Sequence, residues 1–280
     1  MMDLLAKPAR PWALRLLPPF PAVASRVFTL VNKSDVTAVQ IGATIKLDPT
    51  FTAEILRVAN SAIFGGAREI KTVTLAVSRL GLDRVKSIAM LISLNSMMKS
   101  AIRIDALRRF WEHSLVTAIV AEESARVSGV SVDSAYTAGL LHNLGSLGLM
   151  AAYPAEYARM LDVTKEFKFD LLRTERDLFE IDHCAAGAYL AQEWNFPDEI
   201  AAAIATHHDE PEPGDRSIYS LVQVAWRLAD VLGYVAFPSD KAWVYDDLVA
   251  RIPGSSRSWL GAGVDPAKQE VVSQLSKLRI

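Results

Sequence analysis

AGLLHNLGSLGL, residues 138–149, is the stretch from which the rest of the chain is read. It sets a polar pair, His142-Asn143, inside an apolar run where Leu140, Leu141 and Leu144 recur at helical spacing. The spacing predicts a helix that starts at Ser131 to Ala135 and runs through Tyr136 to Gly145, with His142 and Asn143 near its C-terminal end. Helical patterns carrying further histidines lie on both sides. His113 projects beside a stripe of Leu107, Phe110, Trp111, Leu115, Ile119 and Val120. His183 lies in a single long helical candidate, Glu175 to Trp194. Asp198 is suited to cap a helix carrying Ile200, Ala203 and Ile204, which ends at His207-His208. Ser217 to Leu232 is apolar and helical, with Asp230 near its end.

The first half is also helical. Val23, Val27, Leu30 and Val31 keep one face, and Val36 to Ile45 forms a second helix. Asp48-Pro49 opens a third, because Asp can take free amides and Pro suits the first helical position. Phe51, Ile55, Val58, Ala59 and Ala62 make its stripe, and Gly65-Gly66 ends it. Thr72 caps the next helix, with Leu75, Ala76, Arg79 and Leu80, before Gly81 breaks it. Asp83 caps one more, running to about Met98. The tail from Pro253 to Gly263 is turn-rich, and Pro266 to Leu278 is a last amphipathic helix. Strand signals are sparse. The expected fold is all-α, in two packed helical subdomains over residues 1–104 and 105–280, joined around Ser100 to Leu107.

Composition narrows the function. With 280 residues, 51% apolar and 22% charged, the chain has ample core material. A net charge of −2 argues against a broad grip on nucleic acid, which needs a concentrated excess of Lys and Arg. The run of Lys99, Arg103, Arg108 and Arg109 reads as a solvated helix connection. The richest apolar stretch, Ile88 to Met98, is broken by Ser93, Asn95 and Ser96, so membrane insertion is not expected. The proline-rich start lacks the apolar segment of a secretory signal. A lone cysteine, Cys184, allows no internal disulfide and suits a reducing cytoplasm.

The order His, His-Asn, His, His-His, Asp on successive helices is expected to converge on one pocket: His113, His142, His183, His207, His208 and Asp230. Neutral imidazoles with a carboxylate suit a divalent Fe, Mn, Ni or Zn ion. Adjacent residues on a helix point about 100° apart, so Asp182-His183 and His208-Asp209-Glu210 are not acid–base pairs. Trp111, Trp194 and Trp226 fall beside the same segments, as core filling or as the lining of a ligand pocket. Asn60 and Ser61, polar at an apolar helix end, belong to a ligand or partner pocket or, for Asn60, fix the following turn through the backbone.

Seven segments together resemble the HDOD family (HD-related output domain), a relative of the HD and HD-GYP phosphohydrolases. They are LPPFPAVASRV, LDPTFTAEILRVANSAIFG, IKTVTLAVSRLGLDRVKSIAM, FWEHSLVTA, AGLLHNLGSLGL, FEIDHCAAGAYLAQEWNFPDEIAAAIATHH and RLADVLG. The resemblance spans Leu17 to about Leu278. It implies a two-part helical fold with an HD-like second half. It also implies a regulatory role in bacterial signal transduction, mostly without catalysis, through a signalling protein partner or a small-molecule ligand. The metal-ligand positions of the enzymes fall on His113, His142, His183, His207, His208 and Asp230. Two positions depart from the enzymes: Asn143 replaces the Asp that bridges two metals, and Ser146 replaces a lysine. The GYP signature is absent.

Asn143 offers a neutral amide. Two divalent ions about 4 Å apart at an effective dielectric of 20 repel by on the order of 16 kcal/mol, which a bridging anion offsets and an amide does not. The expectation is therefore a non-catalytic output domain with no catalytic residues, Asn143 lining a binding pocket and one divalent ion at most. The alternative is a one-metal phosphohydrolase of a nucleotide or cyclic dinucleotide, its ion held by His113, His142 and Asp230. A nucleic-acid-binding regulator is a third reading, disfavoured by the charge.

Overall fold

The computed structural model describes residues 9–17, 22–31, 33, 35–60, 70–82, 84–85, 88–89, 92, 105–166, 170–194, 196–237 and 242–278. Among these there is no strand. Several helix starts follow side chains that can take free backbone amides. Helix α1 spans Ala22–Val31. The next, α2, spans Ala38–Ile45, two residues later than its sequence pattern begins, because Thr37 and Gln40 close a reciprocal capping box there. Helix α3, Pro49–Ala59, starts where expected, with the Phe51 amide donating to Asp48 Oδ1 at 3.1 Å. Thr72 caps α4, Val73–Leu80, and Gly81 ends it at φ +79°, a backbone angle that favours glycine. Buried residues of this half, including Ile41, Ile45, Phe51, Ile55, Val73 and Val77, form one core.

The second half is built on α5, Asp105–Ser128, which packs against α6, Val132–Leu141, and α12, Ile218–Val231. Between them run α7, Leu144–Ala152; α8, Pro154–Glu166; α9, Leu171–Phe179; α10, His183–Glu193; and α11, Asp198–Thr206. A short α13, Tyr245–Val249, and α14, Val264–Leu278, follow. Two 3-10 turns, Ser255–Arg257 and Trp259–Ala262, occupy the turn-rich tail. The second core includes Phe110, Leu141, Leu144, Leu190, Ile204 and Leu228, and takes in Leu14, from the 3-10 turn at Trp12–Leu14, and Leu17 after it. Arg84 ties the first half to the second: it lies 3.1 Å from Glu122 and 3.7 Å from Asp133, over the ring of Tyr136.

Three sequence expectations are corrected. The helix expected through Gly145 stops at Leu141, since Asn143 takes φ −90°, ψ 18°, outside the helical region, and α7 starts at Leu144. The single helix expected from Glu175 to Trp194 is two, because Glu180 turns left-handed at φ +57° and Asp182 recaps the chain on the Ala185 amide. Asp198 is the first residue of α11 and not its cap, which is Pro197. The expected Gly65-Gly66 stop, the Asp83 cap, much of the helix to Met98, Ser61 and the start of the join at Ser100 lie outside the described residues.

Glycine permits the tightest contact. A Cβ on Gly145 would lie 1.9 Å from the His183 carbonyl oxygen and 2.6 Å from the Gly187 nitrogen. Helices α7 and α10 therefore touch backbone to backbone where His183 begins α10.

Candidate metal centre

Each histidine comes from the end or flank of a helix. His113 lies on α5, His142 follows α6, Asn143 precedes α7, His183 opens α10, His207 and His208 follow α11, and Asp230 is near the end of α12. The structure brings all six expected residues into one row. Ring centroids are 5.2 Å apart for His113–His142, 5.0 Å for His142–His207, 5.2 Å for His183–His207 and 4.9 Å for His183–His208. His113, His142, His183, His207 and Asn143 are each at most 1% exposed.

What each ring nitrogen faces sets its chemistry. His142 Nδ1 lies 2.7 Å from the Gly139 carbonyl oxygen, and His207 Nδ1 lies 2.8 Å from that of Ile204. A carbonyl only accepts, so both rings donate Nδ1–H and keep the lone pair on Nε2. His183 Nδ1 lies 2.6 Å from Glu175 Oε2, which places its lone pair on Nε2 as well when the ring is neutral. His183 Nε2 then lies 3.2 Å from His207 Nε2 and 3.1 Å from His208 Nε2. Lone pairs that close repel unless a proton or a metal ion lies among them. Two nitrogens bound at 2.0–2.1 Å to one tetrahedral ion are about 3.3 Å apart, close to both separations.

Burial, then the neighbouring imidazoles, holds His142 and His207 well below the usual histidine range. Burial, then His183, pushes His208 down to about 2. Burial also lowers His183, but the Glu175 carboxylate and the Cys184 sulfur outweigh it and hold His183 well above the usual range. A proton on His183 and a metal ion thus compete for the same place.

The other end of the row differs. His113 Nε2 is 3.2 Å from Asp230 Oδ1, within ion-pair reach but not aligned as a hydrogen bond. Asn143 Nδ2 lies 3.4 Å from His113 Nδ1. A single ion on His113, His142 and Asp230 was one expectation. Instead, the close convergence falls on His183, Cys184, His207 and His208, whose candidate ligand atoms all lie within 4.8 Å. Cys184 approaches His207 at Nδ1, 3.9 Å away, the nitrogen already engaged with Ile204. The donor set that fits an ion is therefore the three Nε2 atoms.

Helix α12 fixes the His207-His208 turn. Gln223, Trp226 and Arg227, at i, i+3 and i+4, donate to the carbonyls of Thr206, His207, His208 and Asp209. The Thr206 and His207 carbonyls close the helix and those of His208 and Asp209 lie just past it, where an arginine also suits the negative end of the helix dipole. Arg227 is held between the rings of Trp226 and Trp243, 4.8 and 4.7 Å from their centroids. Trp226 thus has a structural task, although its ring also lies 5.0 Å from that of His208.

Asn60, expected in a ligand or partner pocket, is committed to backbone. Its Nδ2 donates to Leu56 and Ile70 carbonyls at 2.9 and 2.8 Å, and its Oδ1 accepts from the Ile70 amide at 2.8 Å. Sequence reasoning missed Glu175 and Arg227. Glu175 had a readable signal: it interrupts the buried stripe Leu171, Glu175, Phe179 of an amphipathic helix. A carboxylate in that position must have a buried partner.

A sequence profile of the HDOD domain matches residues 17–210. The chain is 26% identical over 197 residues to an uncharacterised protein of Treponema pallidum (strain Nichols), covering 70% of this chain and 38% of that relative. It therefore spans well under half the length of the curated relative it matches. Two solved structures share the fold. One, from Shewanella amazonensis SB2B, is provisionally named a phosphohydrolase (TM-score 0.70, 23% identity, 94% of this chain and 93% of that one). Another, from Marinobacter aquaeolei VT8, is provisionally named a signal transduction protein (TM-score 0.71, 24% identity, 94% and 60%). No helix among the described residues is long and apolar enough to cross a membrane.

Proposed function

Because the chain belongs to the HDOD domain family, we propose that it is a non-catalytic signal-transduction output domain. It acts by binding a signalling protein or a small ligand, with one divalent ion held inside its second core by His183, His207 and His208. The observation that carries this is Asn143: a buried neutral amide, turned to His113, at the position where a two-metal site needs a shared anion.

Burial supports the same conclusion. A hydrolytic metal keeps an open coordination position for water and substrate. Here the imidazoles of His142, His183 and His207 are sealed in the core, with His208 only partly buried. Such an ion would have three protein ligands, and neutral imidazoles suit Zn, Fe, Ni or Mn. The name carried by the Marinobacter neighbour agrees with a signalling role, and the name carried by the Shewanella neighbour defines the competing one. Output by such a domain is a population shift: a partner that prefers one arrangement of the two halves, joined through Arg84, changes what the surface offers.

Phosphodiesterase assays with nucleotides and cyclic dinucleotides, in Mn or Fe, test the non-catalytic reading. No turnover is expected; turnover that disappears in His142→Ala contradicts it.

A further inference from the structure

Glu175 has no exposed surface, yet it lies on the stripe by which α9 enters the core. Its two oxygens take three donors. The Tyr157 hydroxyl donates to Oε1. The His183 backbone amide and the His183 ring both donate to Oε2, at 2.8 and 2.6 Å. The amide is one of those left free at the start of α10. One carboxylate oxygen therefore grips His183 at main chain and ring together, which fixes the side-chain rotation as well as the tautomer.

The other two well-defined rings, His142 and His207, are oriented by neutral carbonyls. Of these three rings, His183 alone has a carboxylate on its Nδ1. Its Nε2 is also the atom within 3.2 Å of both His207 and His208. A divalent ion among three neutral imidazoles brings two uncompensated positive charges into a core. Asn143 supplies no anion, and Glu175 supplies one a single residue further out.

We propose that Glu175 is the positioning residue of this site: it presents His183 Nε2 to the ion and furnishes the counter-charge that Asn143 withholds. The proposal rests on the single-ion reading above. Tyr157 supports it from behind by occupying the second oxygen, so the order of action is Tyr157, Glu175, His183, ion.

The test uses the full chain, stripped with a chelator and reloaded with Co(II) or Zn(II). Affinity is measured by competition with a chromophoric chelator, coordination by the Co(II) visible spectrum, and the His183 tautomer by nitrogen-15 NMR. Wild type is expected to take one ion. Glu175→Gln, which keeps shape and packing, is expected to weaken binding about 10–100-fold. It should also alter the Co(II) bands and mix the His183 tautomers, with the far-ultraviolet dichroism unchanged. Tyr157→Phe is expected to weaken binding less. Wild-type affinity and spectrum in Glu175→Gln would overturn the assignment while leaving the single-ion reading intact. No ion in wild type would overturn that reading and this assignment with it. If Glu175→Gln does not fold, Tyr157→Phe decides, and unchanged affinity there counts against the proposal.

Discussion

The two ends of the histidine row are built from the same side chains and do opposite things with them. At the His183 end, Nδ1 atoms are tied to Glu175 and to the Ile204 carbonyl, so Nε2 lone pairs of different rings are aimed at one another. At the His113 end, the ring lies between a carboxylate, Asp230, and an amide, Asn143, with the His142 ring centroid 5.2 Å away. At the first, a proton on His183 or a metal ion can lie among the converging Nε2 atoms; at the second, His113 Nε2 is paired with Asp230 without an aligned hydrogen bond. A ligand-like residue list therefore says less than the partner on the far side of each ring. Asn143, a neutral amide, lies at the His113 end, 3.4 Å from that ring.

The comparison breaks most plainly under single-ligand removal. His207→Ala should abolish uptake of the ion, and His113→Ala should leave one ion bound, as read by metal content after gel filtration. Equal losses from both would mean that the ends are not distinct. Asn143→Asp should erase the difference: metal content rises toward two ions per chain, or affinity for the first increases. Unchanged uptake would mean that Asn143 does not lie between two potential sites.

Gly145→Ala tests the join between the ends, because α7 carries the Asn143 side and α10 the His183 side. Its Cβ would fall 1.9 Å from the His183 carbonyl oxygen, so the helices must part. Overpacking of this kind costs about 1–3 kcal/mol or more, readable by denaturant titration.

In the metal-free protein the convergent end should also set the acid limb of stability. His142, His207 and His208 are held below the unfolded value of about 6.5. The unfolded chain therefore binds more protons below that pH, and stability is lost as pH falls from about 6.5, with a slope approaching three protons from these rings. His183 is raised, so its contribution is complete at low pH and is lost only as pH rises through its folded value. Bound metal should flatten the acid limb, measured as midpoint against pH with and without Zn(II). The smallest effect belongs to Asp182→Ala. Loss of the cap on the Ala185 amide should cost about 1 kcal/mol and loosen His183 without removing the ion.

Much of this was legible in the sequence because it was local. Thr72, Gly81 and the Asp48-Pro49 pair marked their helix boundaries, and five histidines with Asp230 announced a shared pocket. The breaks at Asn143 and Glu180 were not legible. Neither carries the glycine or proline that signals a stop, although one takes the bridge region and the other the left-handed region. Which residues would share one ion was hidden as well: it depends on Nδ1 partners contributed by Gly139, Ile204 and Glu175. Asn60 was ambiguous by chemistry, since an amide that binds a ligand and one that clamps Ile70 look alike in a sequence.

Anomalous diffraction at a metal edge, on crystals of protein purified without chelator, addresses the asymmetry most directly. One peak at bonding distance from the Nε2 atoms of His183, His207 and His208, with none between His113 and Asp230, is the expected result. Two peaks flanking Asn143 would contradict it.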